Sequence, residues 1–231
     1  MMIEVFDDPH SLHEAAAGAI VSALEAGVRR NGTASLVATG GRSPGPVYDL
    51  MSLAPLDWAR VRITLSDERW VDEASPDTNA LLVRERLLTH RAAEAAFHPL
   101  RGGEPDPETA ARHASTLFHS WPPLDVVMLG MGEDGHVASL FPGNPALERG
   151  LDPAAPACIA VPAGEEGRPP PQARLSLTIR GLITAGLVVI LTSGQAKRAV
   201  LERAIEGGDP RELPVRAVLQ SAPTVRILWT A

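Results

Sequence analysis

Apolar positions along this chain alternate between two rhythms, one helical and one of short continuous runs. From Ser11 to Arg30 the helical rhythm puts Leu12, Ala16, Ile20 and Leu24 on one face, and Asn31-Gly32 supplies a stop. Ser35–Thr39 predicts a short buried strand, followed by Gly40-Gly41-Arg42-Ser43-Pro44 and a helix through Met51. Val61–Leu65 predicts the next strand, which ends at the turn Ser66-Asp67-Glu68-Arg69. Ser75-Pro76 has the form of an N-cap with proline at the first helical position and opens a helix to Leu88. Glu108–Trp121 predicts a further helix, Leu124–Leu129 a central strand and Ala157–Val161 another strand. Gly164–Gln172, with its run of prolines, predicts a surface loop. Leu187–Leu191 is a fully apolar strand feeding the helix Gln195–Ile205, and Val225–Trp229 closes the pattern. This alternation argues for an α/β fold in three layers, a mostly parallel sheet with helices on both faces. With no repeat or linker in view, residues 1–231 are expected to form a single domain.

In a parallel sheet, the turns after Thr39, Leu65, Leu129 and Thr192 share one edge, the edge where open α/β sheets bind ligands. They gather Gly40, Gly41, Ser43, Asp67, Arg69, Asp134, His136 and Lys197. Gly40-Gly41 before a helix can aim backbone N–H groups at an anion, helped by Ser43 and the helix dipole. Each turn alone has a plain structural explanation: a tight turn, a cap, a solvated loop. Four of them at one edge are harder to explain that way.

The richest segment is 128–143, Met-Leu-Gly-Met-Gly-Glu-Asp-Gly-His-Val-Ala-Ser-Leu-Phe-Pro-Gly. It leaves a buried strand abruptly and presents Glu133, Asp134 and His136, a histidine beside a carboxylate able to orient it for general-base work. Gly130, Gly132 and Gly135 also satisfy the dinucleotide-binding pattern G-x-G-x-x-G. Two acids would then face a pyrophosphate, and Pro142-Gly143 stops any helix before its third turn, so that reading fails.

Composition narrows the partners. The chain has 231 residues, 45% hydrophobic and 21% charged, with a formal charge of −7, which argues against a nucleic-acid or anionic-membrane surface. No apolar run approaches a membrane span, and the acidic N-terminus lacks a basic leader, so a cytoplasmic location is expected. The one cysteine, Cys158, lies between Ala157 and Ile159 and is expected to be a buried small hydrophobe. Arginine supplies 20 of the basic residues and lysine one, Lys197, at a strand-to-helix junction where a compact ammonium suits phosphate. His10 and His13 near Asp7 and Asp8 lack a third strong ligand, and a solvated helix start is expected there.

On these residues the chain resembles the 6-phosphogluconolactonase family, within the wider group that includes glucosamine-6-phosphate deaminase. The resemblance spans nearly the whole length. It rests on Thr39-Gly40-Gly41-Arg42-Ser43-Pro44, Ser66-Asp67-Glu68-Arg69, Ser75-Pro76-Asp77-Thr78-Asn79, the segment Gly130–Gly143, Arg174-Leu-Ser-Leu-Thr178 and Gly194-Gln-Ala-Lys197. The fourth is highly specific. Three positions depart from the family pattern: Arg42 stands where serine is usual, Ser43 where threonine is usual, and Thr78 where serine is common. Deaminases typically carry Asp-Glu-Tyr and a glutamate soon after the histidine. Here Arg69 replaces the tyrosine, and the first acid after His136 is Glu148.

The resemblance implies a Rossmann-like sheet of the sugar-phosphate isomerase type and hydrolysis of 6-phospho-D-glucono-1,5-lactone, with no metal or cofactor. His136 is then the base, with Asp134 or a backbone carbonyl holding its ring. Asp67 and Arg69 contact sugar hydroxyls or the reacting end, while Lys197, Arg174, Ser43 and the Gly40-Gly41 amides clamp the phosphate. The partner is a small phosphosugar lactone, and the chain is expected as a monomer or weak homodimer. Two alternatives remain: the deaminase, disfavoured by the missing glutamate, and a sugar-phosphate sensor without turnover, disfavoured because no basic helix-turn-helix accompanies it.

Overall fold

The computed structural model describes residues 2–121, 123–165 and 167–231. In chain order its elements are β1 (Ile3–Phe6), α1 (Pro9–Asn31), β2 (Ala34–Ala38), α2 (Pro44–Ser52), β3 (Val61–Leu65) and β4 (Asp67–Arg69). Then come α3 (Asn79–Arg86), β5 (Ala96–Phe97), α4 (Pro107–His119), β6 (Val126–Gly130), α5 (Leu147–Leu151) and β7 (Cys158–Val161). The last third holds β8 (Arg174–Leu177), α6 (Ile179–Ile183), β9 (Leu187–Ser193), α7 (Gln195–Ile205), α8 (Val215–Ser221) and β10 (Val225–Thr230).

Seven strands form one sheet in the order β1-β10-β9-β6-β2-β3-β5, and every pairing in it is parallel. From β2 the chain steps outward through α2 and α3 toward β5, whereas from β6 it steps the other way through β9 to β10. Right-handed crossovers therefore send the two sets of helices to opposite faces. Neighbouring β2 and β6 feed opposite faces, so the loops leaving their C-terminal ends diverge and open a crevice.

Local chemistry explains the elements that frame this crevice. Helix α1 begins at Pro9 because the Asp8 carboxylate accepts from the Ser11 N–H at 2.9 Å. It ends where Gly32 takes a left-handed φ of 76° and donates its N–H to the Val28 carbonyl at 2.9 Å. Leu12, Ala16, Ile20 and Leu24 are buried as their spacing predicts, at roughly 1.5–3 kcal/mol for each large aliphatic side chain. At the foot of the sheet the buried Asp125 accepts from the Ser35 N–H (2.9 Å), the Ser35 hydroxyl (3.2 Å) and Arg30 (2.8 Å), pinning β6 to β2.

The structure corrects three expectations. The segment Ser66–Arg69 is not only a turn, since Asp67–Arg69 pairs antiparallel with β8. Ala157–Val161 is a strand, but as β7 it belongs to a second sheet, β4-β8-β7, which is wholly antiparallel. Ser75-Pro76 does not open a helix. Ser75 and Thr78 close a turn (Thr78 N–H to Ser75 carbonyl, 3.2 Å), and α3 begins at Asn79 with Thr78 as its cap. The start is set by tertiary contact: buried Glu68 accepts from the N–H groups of Asn79 (2.7 Å) and Ala80 (2.8 Å). Burial pushes the Glu68 carboxyl up from its ordinary value, against these donors and the Arg69 N–H. The loop Gly164–Gln172 has no regular structure over its described residues, and residue 166 lies outside them.

No helix among the described residues is long and apolar enough to cross a membrane. Cys158 is buried, and burial pushes its thiol up to about 12. At pH 8 the native protein is therefore expected to leave a thiol-disulfide reagent such as DTNB unreacted and to titrate one thiol only in denaturant. Rapid native labelling would contradict the burial.

Candidate active site

The loops leaving β2, β3, β6 and β9 enclose a cleft of about 680 Å³ at the C-terminal edge of the parallel sheet. Of the expected site residues, Gly40, Gly41, Ser43, Asp67, Arg69, His136, Arg174 and Lys197 all line it. Asp134 does not; it stands behind His136.

The loop after β6 shows why its glycines are needed. The Gly132 N–H donates to the His136 carbonyl at 3.0 Å, and the Gly135 N–H donates to the Gly132 carbonyl at 3.1 Å. Gly135 takes a left-handed φ of 78° to close this turn. The Asp134 Oδ1 accepts from the His136 backbone at 3.2 Å and from its ring Nδ1 at 2.6 Å. A Cβ on Gly132 would fall 2.2 Å from that ring nitrogen, so the dyad needs glycine beneath it. Burial raises the Asp134 carboxyl, but the hydrogen bonds and charge of His136 outweigh it and hold the group below its ordinary value. An ionised Asp134 accepts the Nδ1 proton, which makes Nε2 the basic nitrogen. The ring packs against Phe141, with centroids 4.3 Å apart. The next helix is α5, at Leu147, so Gly130, Gly132 and Gly135 shape a histidine-bearing turn and not a phosphate-facing helix start.

The loop after β2 is braced by Tyr48. Its hydroxyl donates to the Thr39 carbonyl at 2.7 Å and accepts from the Thr39 N–H at 2.8 Å. Burial raises the phenol, keeping it protonated for this role. Gly41 follows at φ 99°, and Ser43, the N-cap of α2, makes no side-chain capping bond, which leaves its hydroxyl to the cleft. Arg42 is exposed on the rim, with no ion-pair partner among the described residues. Across the cleft, Lys197 lines the wall from the first turn of α7.

Asp67 is buried, not solvated. Its carboxylate accepts from Ser66 (2.9 Å), Asn79 (3.3 Å) and Ser139 (2.7 Å), and Arg174 lies 3.5 Å away. Arg69 and Arg174 occupy directly paired positions of β4 and β8. Burial draws the Arg174 guanidinium down from its ordinary value while Asp67 counters it. Two cations opposite one another repel, and an anion between them relieves the repulsion. Arg174 lines the same cleft as Lys197 but stands beside Asp67, which follows β3, while Lys197 follows β9. Three strand spacings separate β3 from β9, roughly 14 Å.

Sequence reasoning missed several contributors. Ser139 and Phe141 lay inside the specific segment without a role, and Asn79 lay inside a quoted motif. Tyr48 carried no signal beyond helical burial. His13 lines the cleft from α1, whereas His10 pairs with Glu14 at the surface and Asp8 caps the helix. No cluster of three or more metal-ligating side chains occurs among the described residues.

Comparison with known proteins adds an independent line. The profile described as glucosamine-6-phosphate isomerases/6-phosphogluconolactonase matches residues 7–229. A 6-phosphogluconolactonase of Caulobacter vibrioides is 43% identical over 229 residues, 98% of this chain and 96% of its own length. One of Rhizobium meliloti is 41% identical over 230 residues, 98% and 97% of the two chains. The crystal structure of a 6-phosphogluconolactonase from Shewanella baltica superposes with a TM-score of 0.93 at 36% identity, covering 100% of this chain and 98% of that one. A monomeric glucosamine-6-phosphate deaminase shares the fold, with a TM-score of 0.83 at 18% identity and coverage of 100% and 97%.

The Tyr48 brace is open to direct test. Tyr48→Phe leaves a buried N–H and a buried carbonyl at Thr39 unpaired, and is expected to cost about 1–3 kcal/mol in urea unfolding. An unchanged midpoint would show that the loop does not depend on it.

Proposed function

We propose that this chain, which belongs to the glucosamine-6-phosphate isomerase/6-phosphogluconolactonase family, hydrolyses 6-phospho-D-glucono-1,5-lactone to 6-phospho-D-gluconate. The observation that carries the site assignment is the 2.6 Å contact between Asp134 and His136, with the ring on the wall of a cation-bearing cleft. Nε2 accepts a proton from water as the water oxygen attacks C1 of the lactone. The carbonyl oxygen gathers negative charge in the tetrahedral intermediate. When the C1–O5 bond breaks, the His136 imidazolium returns its proton to the ring oxygen, and the new carboxylic acid ionises, releasing its proton to solvent as the carboxylate product leaves.

Asp134 has two tasks here: it fixes the tautomer and it stabilises the imidazolium that forms. Arg69 and Arg174, side by side above Asp67, suit the charge that develops at the lactone end. Lys197, the Ser43 hydroxyl and the Gly40-Gly41 amides hold the phosphate. A cationic cleft in a chain of formal charge −7 concentrates a doubly anionic sugar phosphate locally. All of these groups come from one chain, from Gly40 to Lys197, so residues 1–231 act as one domain and one protomer suffices. A phosphorylated substrate confined to the cell interior suits a cytoplasmic enzyme.

The deaminase reading needs a second acid near the histidine. Phe141 packs on the ring instead, and Glu148 pairs with Arg211 outside the cleft.

His136→Ala is expected to lower kcat by roughly 10²–10⁴-fold, the usual scale for a general base. Lys197→Ala is expected to raise KM with kcat largely kept, because the phosphate contact is common to ground and transition states. Proton release from freshly generated lactone, corrected for spontaneous hydrolysis, measures both. Near wild-type kcat in the first variant, or a change confined to kcat in the second, would overturn the assigned role.

A further inference from the structure

Asn79 is 2% exposed and reaches both loops that flank the cleft on the β2–β3 side. Its side-chain Nδ2 donates to the Asp67 carbonyl at 2.8 Å and to the Asp67 carboxylate at 3.3 Å. Its backbone N–H donates to Glu68 at 2.7 Å, so the residue is tied twice to β4. The other end of the amide behaves differently. Its Oδ1 is buried with no hydrogen-bond donor among the described residues, and it presses on Gly40, where a Cβ would fall 1.9 Å away. A buried amide oxygen without a donor lowers stability, and an apolar side chain of similar size would avoid that cost. Its presence at the contact between two site loops therefore points to positioning.

We propose that Asn79 is a positioning residue for lactone hydrolysis. It fixes the separation between the phosphate loop Gly40–Ser43 and the Asp67–Arg174 pair, so that a substrate held at both ends presents C1 to His136. Gly40 is the necessary counterpart, since any Cβ there displaces the amide. The proposal rests on the lactonase reading above, and the test keeps the two apart: failure of the wild-type protein to accelerate lactone hydrolysis would reject that reading, whatever the variants do.

With wild-type turnover established, Asn79→Ala, Gly40→Ala and the double variant are compared by proton release, each with its fold checked by circular dichroism. Asn79→Ala and Gly40→Ala are each expected to lose roughly 10–100-fold in kcat/KM, the scale of an ångström-sized misplacement. The double variant is expected to recover activity relative to Gly40→Ala, because the new methyl enters the space the amide vacates. Additive losses, or wild-type kcat and KM in Asn79→Ala, would overturn the proposal. Should either single variant fail to fold, Asn79→Asp provides the second measurement. Its carboxyl faces that of Asp67, the two share a proton, and kcat/KM is expected to fall with rising pH along a limb the wild type lacks. A pH profile parallel to that of the wild type would also overturn it.

Discussion

The site depends above all on one buried negative charge. Asp67 is only 5% exposed, so its carboxylate has to be matched largely by protein donors. Those donors come from separate segments: Ser66 at the end of β3, Asn79 at the start of α3, Ser139 in the histidine loop and Arg174 on β8. A single desolvated group thus draws together four segments of the chain. Ser139 shows the consequence most clearly, since its N–H donates to the Ser176 hydroxyl at 3.0 Å while its own hydroxyl donates to Asp67. The loop carrying His136 is thereby docked onto the small antiparallel sheet, and its geometry is set before any substrate arrives.

Charge is divided across the resulting cleft in a way that suits a phosphorylated lactone. Lys197 lies after β9 at one end, Arg69 with Arg174 beside Asp67 at the other, and the glycine loop after β2 adjoins the Asp67 side through Asn79. The Asp134–His136 dyad belongs to the β6 loop, and β6 lies between β9 and β3 in the sheet. The 2.6 Å contact to Asp134 holds the proton on Nδ1 and leaves Nε2 as the unprotonated ring nitrogen, which is what a general base would need. An aromatic ring, Phe141, packs against the His136 ring. One shared fold thus supports hydrolysis here, because the chemistry resides in the side chains placed at the strand ends.

Much of this could be read from the sequence where the determinants are local. Helix α7 matches the predicted Gln195–Ile205, β3 matches Val61–Leu65, and α1 stops at the predicted Asn31-Gly32. The parallel sheet and its ligand-binding edge follow from that alternation alone. The small sheet does not, because β4, β7 and β8 are only 3–4 residues long and Asp67–Arg69 pairs with a segment about a hundred residues later. The start of α3 was hidden for the same reason: a tertiary carboxylate, Glu68, overrides an attractive Ser-Pro signal. At the site, His136 and Asp134 were visible as neighbours in sequence. Asn79 was visible only as the end of the Ser75–Asn79 motif, because its contact with Gly40 is tertiary and no local pattern encodes it.

The central claim is best tested by giving the purified wild-type protein two substrates and following each to completion. Freshly generated 6-phosphogluconolactone is expected to release protons well above its spontaneous rate, while glucosamine 6-phosphate yields no ammonia. Ammonia release from the amino sugar phosphate, with lactone hydrolysis no faster than in buffer, would contradict the account.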